Sequence, residues 1–291
     1  MSGGDSGARR LAVLGAGTMG HGIAYVAAAA GFDVALNDPS SEALDRGMAK
    51  VAGLFDKGVE RGKLTAEERA AGLARVRRVP ELAAAVESAS IVVEAAPERL
   101  ELKRAIFAEL ERHAPADALL GTNTSALPVS RIAEAVTTPE RVAGLHFFNP
   151  VPAMRLLEVV RGERTSDETV RRARAFADAL GKTAIVVKDL PGFATSRLGV
   201  VLGLEAARMV EQGVASAADI DRAMELGYNH PMGPLRIGDL VGLDVRLAVA
   251  DQLHAAYGTE TYRAPELLRR MVAEGKLGRK TGEGFYRWDD A

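Results

Sequence analysis

The chain contains no cysteine. Disulfides, thiolate nucleophiles and cysteine-ligated metals are thereby excluded. Aromatic residues are sparse, 5% of the sequence with a single tryptophan, so a core must come from aliphatic side chains and alanine. Neither sign of charge dominates: 37 Lys and Arg stand against 39 Asp and Glu, a net charge of −2. That balance gives no electrostatic case for nucleic acid or an anionic membrane surface as partner. No apolar run approaches the roughly 20 residues of a membrane-spanning helix; the longest, Ile23 to Ala30, is short and alanine-rich. Met1 to Arg10 is polar and Gly/Ser-rich, without the apolar centre of a signal peptide. A cytoplasmic protein without membrane or nucleic-acid partners is expected. No two of the five histidines stand at H-x-x-x-H spacing, so no metal site is predicted.

What the chain does have is glycine in one informative place. Gly15-Ala16-Gly17-Thr18-Met19-Gly20 directly follows a short apolar run, Leu11 to Leu14, and opens a long Ala-rich stretch. A second strand-like run, Asp33 to Asn37, then ends in an acidic residue, Asp38. This order is the dinucleotide-binding fingerprint. Gly15 permits a tight turn, Gly17 lets backbone N–H groups approach a pyrophosphate, and Gly20 lets helix and strand pack closely. The helix N-terminus offers unpaired donors to the phosphates. Asp38 would accept hydrogen bonds from both ribose hydroxyls and repel a 2′-phosphate, so NAD is favoured over NADP. A Gly-rich turn without ligand is the alternative, and the spacing to Asp38 disfavours it.

At 291 residues the chain has room for two domains. Strand-like runs at Leu11–Leu14, Val34–Asn37, Ile91–Glu94, Ala118–Gly121 and Val142–His146 alternate with helical patterns, which predicts a parallel sheet flanked by helices. A charged helical hairpin is inserted at about 41–77, with Thr65 as an internal N-cap. Two later runs, Met154–Val160 and Thr183–Val187, surround a helix from Asp167 to Leu180 and would form a last, antiparallel edge. Beyond Pro191 no strand signal appears until the very end. Leu198, Val201, Leu202, Ala206, Met209 and Val210 recur at helical spacing and stop at Gly213. Ser216 would cap a short helix ending near Gly227. The expected architecture is α/β: a Rossmann-type, doubly wound, mostly parallel sheet with an inserted helical hairpin at residues 1–190, then an all-helical second domain at 191–291.

Among the histidines, His21, His113, His230 and His254 have ordinary structural readings. His146 differs, because it ends a β run just before Phe147-Phe148-Asn149-Pro150. In open α/β sheets ligands bind beyond the carboxyl ends of strands. Twelve positions later Glu158 lies within an apolar strand pattern, where an unpaired carboxylate is costly. A His–Glu pair resolves both placements, the carboxylate fixing the tautomer of a basic imidazole. A core histidine with a solvated glutamate fits the spacing equally well.

Across these residues the chain resembles the L-3-hydroxyacyl-CoA dehydrogenases, including the 3-hydroxybutyryl-CoA dehydrogenases. The likeness runs from Gly15 to Tyr286 and rests on several motifs in order: Gly15 to Gly20, Val93-Glu94-Ala95, Asn123-Thr124-Ser125, His146 to Pro150, Pro191-Gly192-Phe193, His230 to Pro234 and Gly282 to Tyr286. The resemblance implies that His146 is the general base for the substrate hydroxyl and Glu158 its orienting partner, with Ser125 bonding the substrate oxygen. It implies an NAD pocket that includes Ala95 and, more specifically, Asp38, Glu98, Lys103 and Asn123, with Asn149 supporting the site. It also implies an acyl-CoA substrate, a short chain such as 3-hydroxybutyryl-CoA being expected, and a homodimer formed through the helical domain. Lys57, Arg61 and Lys63 on the hairpin suit the CoA phosphates by charge, with a solvated face as the plainer reading of each.

One position departs from the family pattern. Where an asparagine usually stands in Pro-Gly-Phe-x-x-Asn-Arg, this chain has Ser196. A serine is shorter but still a donor; as an ordinary residue of a helix start it would have no such role. Two other readings compete. A dehydrogenase of free 3-hydroxy acids would use a lysine on the helix opening the second domain, and residues 192–213 contain none. A non-catalytic structural protein, like the lens protein recruited from this fold, would not need His146, Glu158, Ser125 and Asp38 together.

Overall fold

The structure, a computed structural model, describes residues 9–288. The chain divides after Asp189 into two compact units.

The first unit is an eight-stranded sheet with helices on it. In chain order its elements are β1 (Arg10–Leu14), α1 (Gly20–Ala29), β2 (Asp33–Asn37), α2 (Ser41–Glu60), α3 (Ala66–Ala74), β3 (Val76–Arg78), α4 (Leu82–Val86), β4 (Ile91–Glu94), α5 (Leu100–His113), β5 (Leu119–Thr122), α6 (Val129–Ala133), β6 (Val142–Phe147), β7 (Leu156–Arg161), α7 (Asp167–Ala179) and β8 (Thr183–Lys188). The strand order is β3-β2-β1-β4-β5-β6-β7-β8. Chain order reverses direction across the sheet between β1 and β4, the switch point beside which such sheets bind ligands. β1 to β6 are mutually parallel, β7 runs antiparallel to β6, and β8 is parallel to β7. The final two strands thus form the reversed edge that the sequence suggested, although β7 begins at Leu156 rather than Met154. Met154 belongs to the preceding turn, its N–H donating to Pro150 O.

β1, β2, β4 and β5 are buried on both faces, which is why they read as short unbroken apolar runs. Leu11, Val13, Leu36, Val93 and Phe55 are each at most 1% exposed and share one core with α1 and α2. The inserted hairpin is α2 and α3. Thr65 caps α3 through a full capping box, its Oγ1 accepting from Glu68 N while Glu68 Oε2 accepts from Thr65 N. The hairpin is shorter than expected. Val76–Arg78 is an edge strand paired with β2, because Val76 is buried there while Arg77 and Arg78 stay exposed.

The second unit is helical: α8 (Thr195–Glu211), α9 (Ala217–Gly227), α10 (Pro234–Val241), α11 (Leu243–Tyr257) and α12 (Glu266–Ala273). Ser216 caps α9, its Oγ accepting from Asp219 N. The apolar stripe read along α8 splits into two faces. Val200, Leu204, Ala206 and Ala207 are buried, whereas Leu198 is 65% and Leu202 42% exposed. The terminal Gly-Glu-Gly-Phe-Tyr stretch is clasped by two buried carboxylates. Asp239 accepts from Phe285 N, Tyr286 N and Trp288 Nε1, and a Cβ on Gly284 would lie 2.3 Å from Asp239 Oδ1. Asp221 accepts from Leu235 N, Arg236 N and Tyr286 Oη. Burial and that last hydrogen bond push the Tyr286 phenol well above its ordinary value. No described helix is long and apolar enough to cross a membrane.

Candidate active site

The end of β1 turns at Gly15, whose φ of +99° suits glycine and whose Cβ would sit 2.7 Å from Ala95 O. A Cβ on Gly20 would lie 1.7 Å from Gly15 O, so α1 can close on the turn only with glycine there. Gly17 is different, since nothing in the protein lies within 4 Å of a Cβ built on it. Its lack of a side chain serves the space outside the loop rather than packing within it. Thr18 is exposed, and Met19 precedes the first turn of α1. Both carboxylate oxygens of Asp38 are held by backbone donors, Oδ2 by Ala16 N and Oδ1 by Ser40 N, each at 3.0 Å. A carboxylate has about four acceptor sites, so Asp38 keeps capacity for a ribose. This cradle fits NAD: a loop open over Gly17, a helix N-terminus behind it, and an anchored acid at the end of β2.

Beyond β4 the chain carries a buried charge cluster. Glu94 is 0% and Lys103 1% exposed, and they pair at 2.7 Å. Glu94 also accepts from Ala96 N and Thr122 Oγ1, both at 2.7 Å. Lys103 reaches Ala96 O and, at 3.5 Å, Glu98 Oε2. Glu98 Oε1 in turn accepts from Thr124 Oγ1, Ser125 N and Ala126 N at 2.5, 2.9 and 3.1 Å. The loops after β4 and β5 are therefore braced by one ionic chain. Asn123 extends it to β6, its Oδ1 accepting from Phe147 N at 2.9 Å.

His146 and Glu158 are Cα register partners across the antiparallel β6–β7 pair. Side chains directly opposite in such a pair lie on one face, and His146 Nδ1 meets Glu158 Oε2 at 2.7 Å. Glu158 is 0% exposed, which rules out the solvated-glutamate reading. With Nδ1–H donating to the carboxylate, the basic lone pair of the neutral ring belongs to Nε2. Phe148 packs on the imidazole with ring centroids 4.4 Å apart.

Met19, Ala95, Glu98, Asn123, Ser125, His146 and Asn149 line a single cleft of about 330 Å³ in the first unit. Lys103 lies beneath its wall rather than in it, and Glu158 stands behind the histidine. Ser196 occupies the first turn of α8, where Ala194 holds the N-cap position, so Ser196 is not the capping residue. Lys57 and Arg61 lie at the end of α2 and Lys63 in the turn after it. All three are exposed, and among the described residues none is ion-paired. Among the described residues no cluster of three or more His, Asp or Glu could hold a metal.

The sequence reading passed over Glu94, Thr122 and Thr124 as site residues. The signal for Glu94 was present: an acid ending an apolar strand needs a partner for the same reason as Glu158. The two threonines carried none.

Residues 10–190 match the family model described as 3-hydroxyacyl-CoA dehydrogenase, NAD binding domain, and residues 192–288 match the C-terminal domain of the same family. The chain belongs to the 3-hydroxyacyl-CoA dehydrogenase family. It is 42% identical to a probable 3-hydroxybutyryl-CoA dehydrogenase of Bacillus subtilis, over 97% of this chain and 98% of that protein. It is 44% identical to a probable 3-hydroxyacyl-CoA dehydrogenase of Caenorhabditis elegans, covering 96% of each. The crystal structure of (S)-3-hydroxybutyryl-CoA dehydrogenase from Ralstonia eutropha superposes with a TM-score of 0.94 at 39% identity, covering 97% of this chain and 100% of that one. As a 3-hydroxyacyl-CoA dehydrogenase family member the chain is an NAD-dependent oxidoreductase acting on a CH–OH group, and the Gly15–Gly20 loop with Asp38 is the part of it that suits NAD.

Proposed function

We propose that this chain interconverts L-3-hydroxyacyl-CoA and 3-ketoacyl-CoA thioesters of short chain, with His146 as general base. The observation that carries this is the buried His146–Glu158 pair at the wall of the cleft. His146 Nε2 takes the proton of the 3-hydroxyl as the C3–O bond becomes a carbonyl. Glu158 keeps the proton on Nδ1 and stabilises the imidazolium that results. Bound NAD supplies the hydride-accepting chemistry, and in its reduced form the hydride for the reverse direction. Gly15, Gly17, Thr18, Met19 and Gly20 would hold its pyrophosphate, Asp38 a ribose, and Ala95, Glu98 and Asn123 the part nearer the cleft. Lys103 contributes by fixing Glu98.

Ser125 donates to the substrate's 3-oxygen, its position set by the Glu98 bond to its backbone N–H. Asn149 supports the cleft wall beside Phe148. Ser196 stands at the sequence position of the asparagine donor common in the family and keeps a hydroxyl donor there, and Lys57, Arg61 and Lys63 meet the CoA phosphates. The protein acts as a homodimer through the helical unit, where Leu198, Leu202, Val241 and Val245 are 42–65% exposed, apolar side chains that a second copy would cover.

The test is oxidation of the separate enantiomers of 3-hydroxybutyryl-CoA with NAD, alongside free 3-hydroxybutyrate. Turnover of the L thioester alone is expected. Turnover of the free acid at an equal rate would favour the hydroxy-acid reading instead. Sedimentation at micromolar concentration checks the dimer.

A further inference from the structure

The first unit buries a lysine that the proposed chemistry does not use. Lys182 is 7% exposed, and burial pulls its pKa below the ordinary lysine value. Its backbone explains the placement. Helix α7 ends in a Schellman motif: Gly181 takes a φ of +67°, Gly181 N donates to Asp178 O, and Lys182 N donates to Ala177 O. Thr183 N then donates to Arg155 O as β8 begins. The residue after the left-handed glycine of such a motif often makes an apolar contact. Here the aliphatic stem of a lysine takes that place, its Nζ 5.8 Å from the ring centroid of the buried Phe147.

The ammonium ends on the connection between β6 and β7. Nζ donates to Val151 O at 2.8 Å and to Met154 O at 2.7 Å. Within the same turn Ala153 N and Met154 N both donate to Pro150 O. Just upstream, Phe148 packs on the His146 imidazole and Asn149 lines the cleft. Val151 is 2% exposed, and a Cβ on Gly22 of α1 would stand 2.9 Å from its Cβ. The turn therefore lies between the helix behind the cofactor loop and the strand that carries the histidine. What an ammonium adds here, over an apolar side chain of equal length, is direction. Charge-assisted bonds to two carbonyls three residues apart hold the turn in one arrangement.

We propose that Lys182 is a positioning residue for the reaction: it pins the turn at Val151 and Met154, so that Phe148 stays against the imidazole and Asn149 stays in the cleft. Lys182 is not among the residues that line the cleft, and it acts through the loop. This rests on the reading of His146 as the base. Loss of the ammonium acts on kcat, since a slightly misplaced reacting group can cost about 10²-fold in rate. Cofactor binding is largely spared, because the Gly15–Gly20 loop and Asp38 are held by their own hydrogen bonds.

The test exploits the absence of cysteine. Lys182→Cys, alkylated in denaturant and refolded, carries either an S-aminoethyl chain, which restores the ammonium, or an S-propyl chain of equal length ending in a methyl. Wild-type protein taken through the same steps is the control. With acetoacetyl-CoA and NADH, the propyl form should lose about 10- to 100-fold in kcat while NADH affinity stays within about threefold of wild type. The aminoethyl form should recover most of that loss, and Lys182→Met, which needs no alkylation, should match the propyl form. Wild-type kcat in the propyl form, an aminoethyl form no faster than it, or NADH affinity falling in step with kcat would overturn the proposal.

Hydrogen exchange of the segment 148–155, measured on Lys182→Met well below its unfolding midpoint, reads the pin without turnover. Exchange at least about tenfold faster than in wild type is expected, and unchanged exchange rejects the proposal. His146→Ala is assayed alongside. Turnover retained there would remove the base, and the exchange of Lys182→Met would still decide whether Lys182 holds the loop.

Discussion

His146 and Glu158 stand directly opposite each other on the antiparallel pair β6–β7, and their side chains meet at 2.7 Å with the carboxylate fully buried. The separation of twelve residues is the hairpin's register made visible. Replacing Glu158 by Gln keeps the shape and removes the charge that orients the ring. We expect kcat to fall by about 10²–10⁴, in the range of a base whose orienting acid is lost, with little change in KM. Steady-state kinetics beside thermal unfolding separates this from simple destabilisation.

The three glycines of the fingerprint should respond differently. Gly20→Ala places a Cβ 1.7 Å from Gly15 O and should cost about 1–3 kcal/mol or more in stability. Gly17→Ala meets no protein atom within 4 Å and should change stability by no more than about 0.5 kcal/mol. Its NADH affinity should nevertheless fall at least about tenfold, because the methyl enters the space a pyrophosphate needs. Chemical denaturation and NADH fluorescence titration check both halves. An unfolded Gly17→Ala protein would contradict the assignment of that space.

Lys103→Met alone strands the fully buried Glu94 carboxylate and should cost about 3–5 kcal/mol. Adding Glu94→Gln should recover part of that loss, since the uncompensated charge is gone. A double-mutant cycle by denaturant unfolding measures the coupling. NADH affinity should stay reduced in the double variant, because Glu98 and the Ser125 turn lose their brace.

Lys182 donates to Val151 O and Met154 O at 2.8 and 2.7 Å, and burial lowers its pKa below the ordinary lysine value. The folded protein then gives up this proton at lower pH than the unfolded chain does. In the alkaline window between the two values the unfolded state binds more protons, so this group's contribution to stability rises with pH. Lys182→Met should lower the unfolding midpoint near neutrality, and its gap to wild type should widen as pH climbs toward 10. A gap that narrows would mean that the ammonium is better stabilised in the folded state.

Much of the first unit could be read in the sequence because its signals are local. Double burial makes β1, β4 and β5 short apolar runs, and Thr65 with Glu68 states a helix start in four residues. The edge strand Val76–Arg78 was hidden because it has one buried residue and two arginines. On α8 the apolar residues look like one stripe, although Leu198 and Leu202 face outward; composition cannot tell a core from a face awaiting a partner. In the site, His146 and Glu158 were found by asking where an unpaired charge would be costly. Glu94 satisfies the same criterion.

The most direct measurement is the loss of NADH absorbance with acetoacetyl-CoA, run beside NADPH and beside a His146→Ala variant that still binds NADH. The account predicts rapid oxidation with NADH, weak oxidation with NADPH, and a loss of several orders of magnitude in the variant. Substantial turnover by His146→Ala would contradict the assignment of the base.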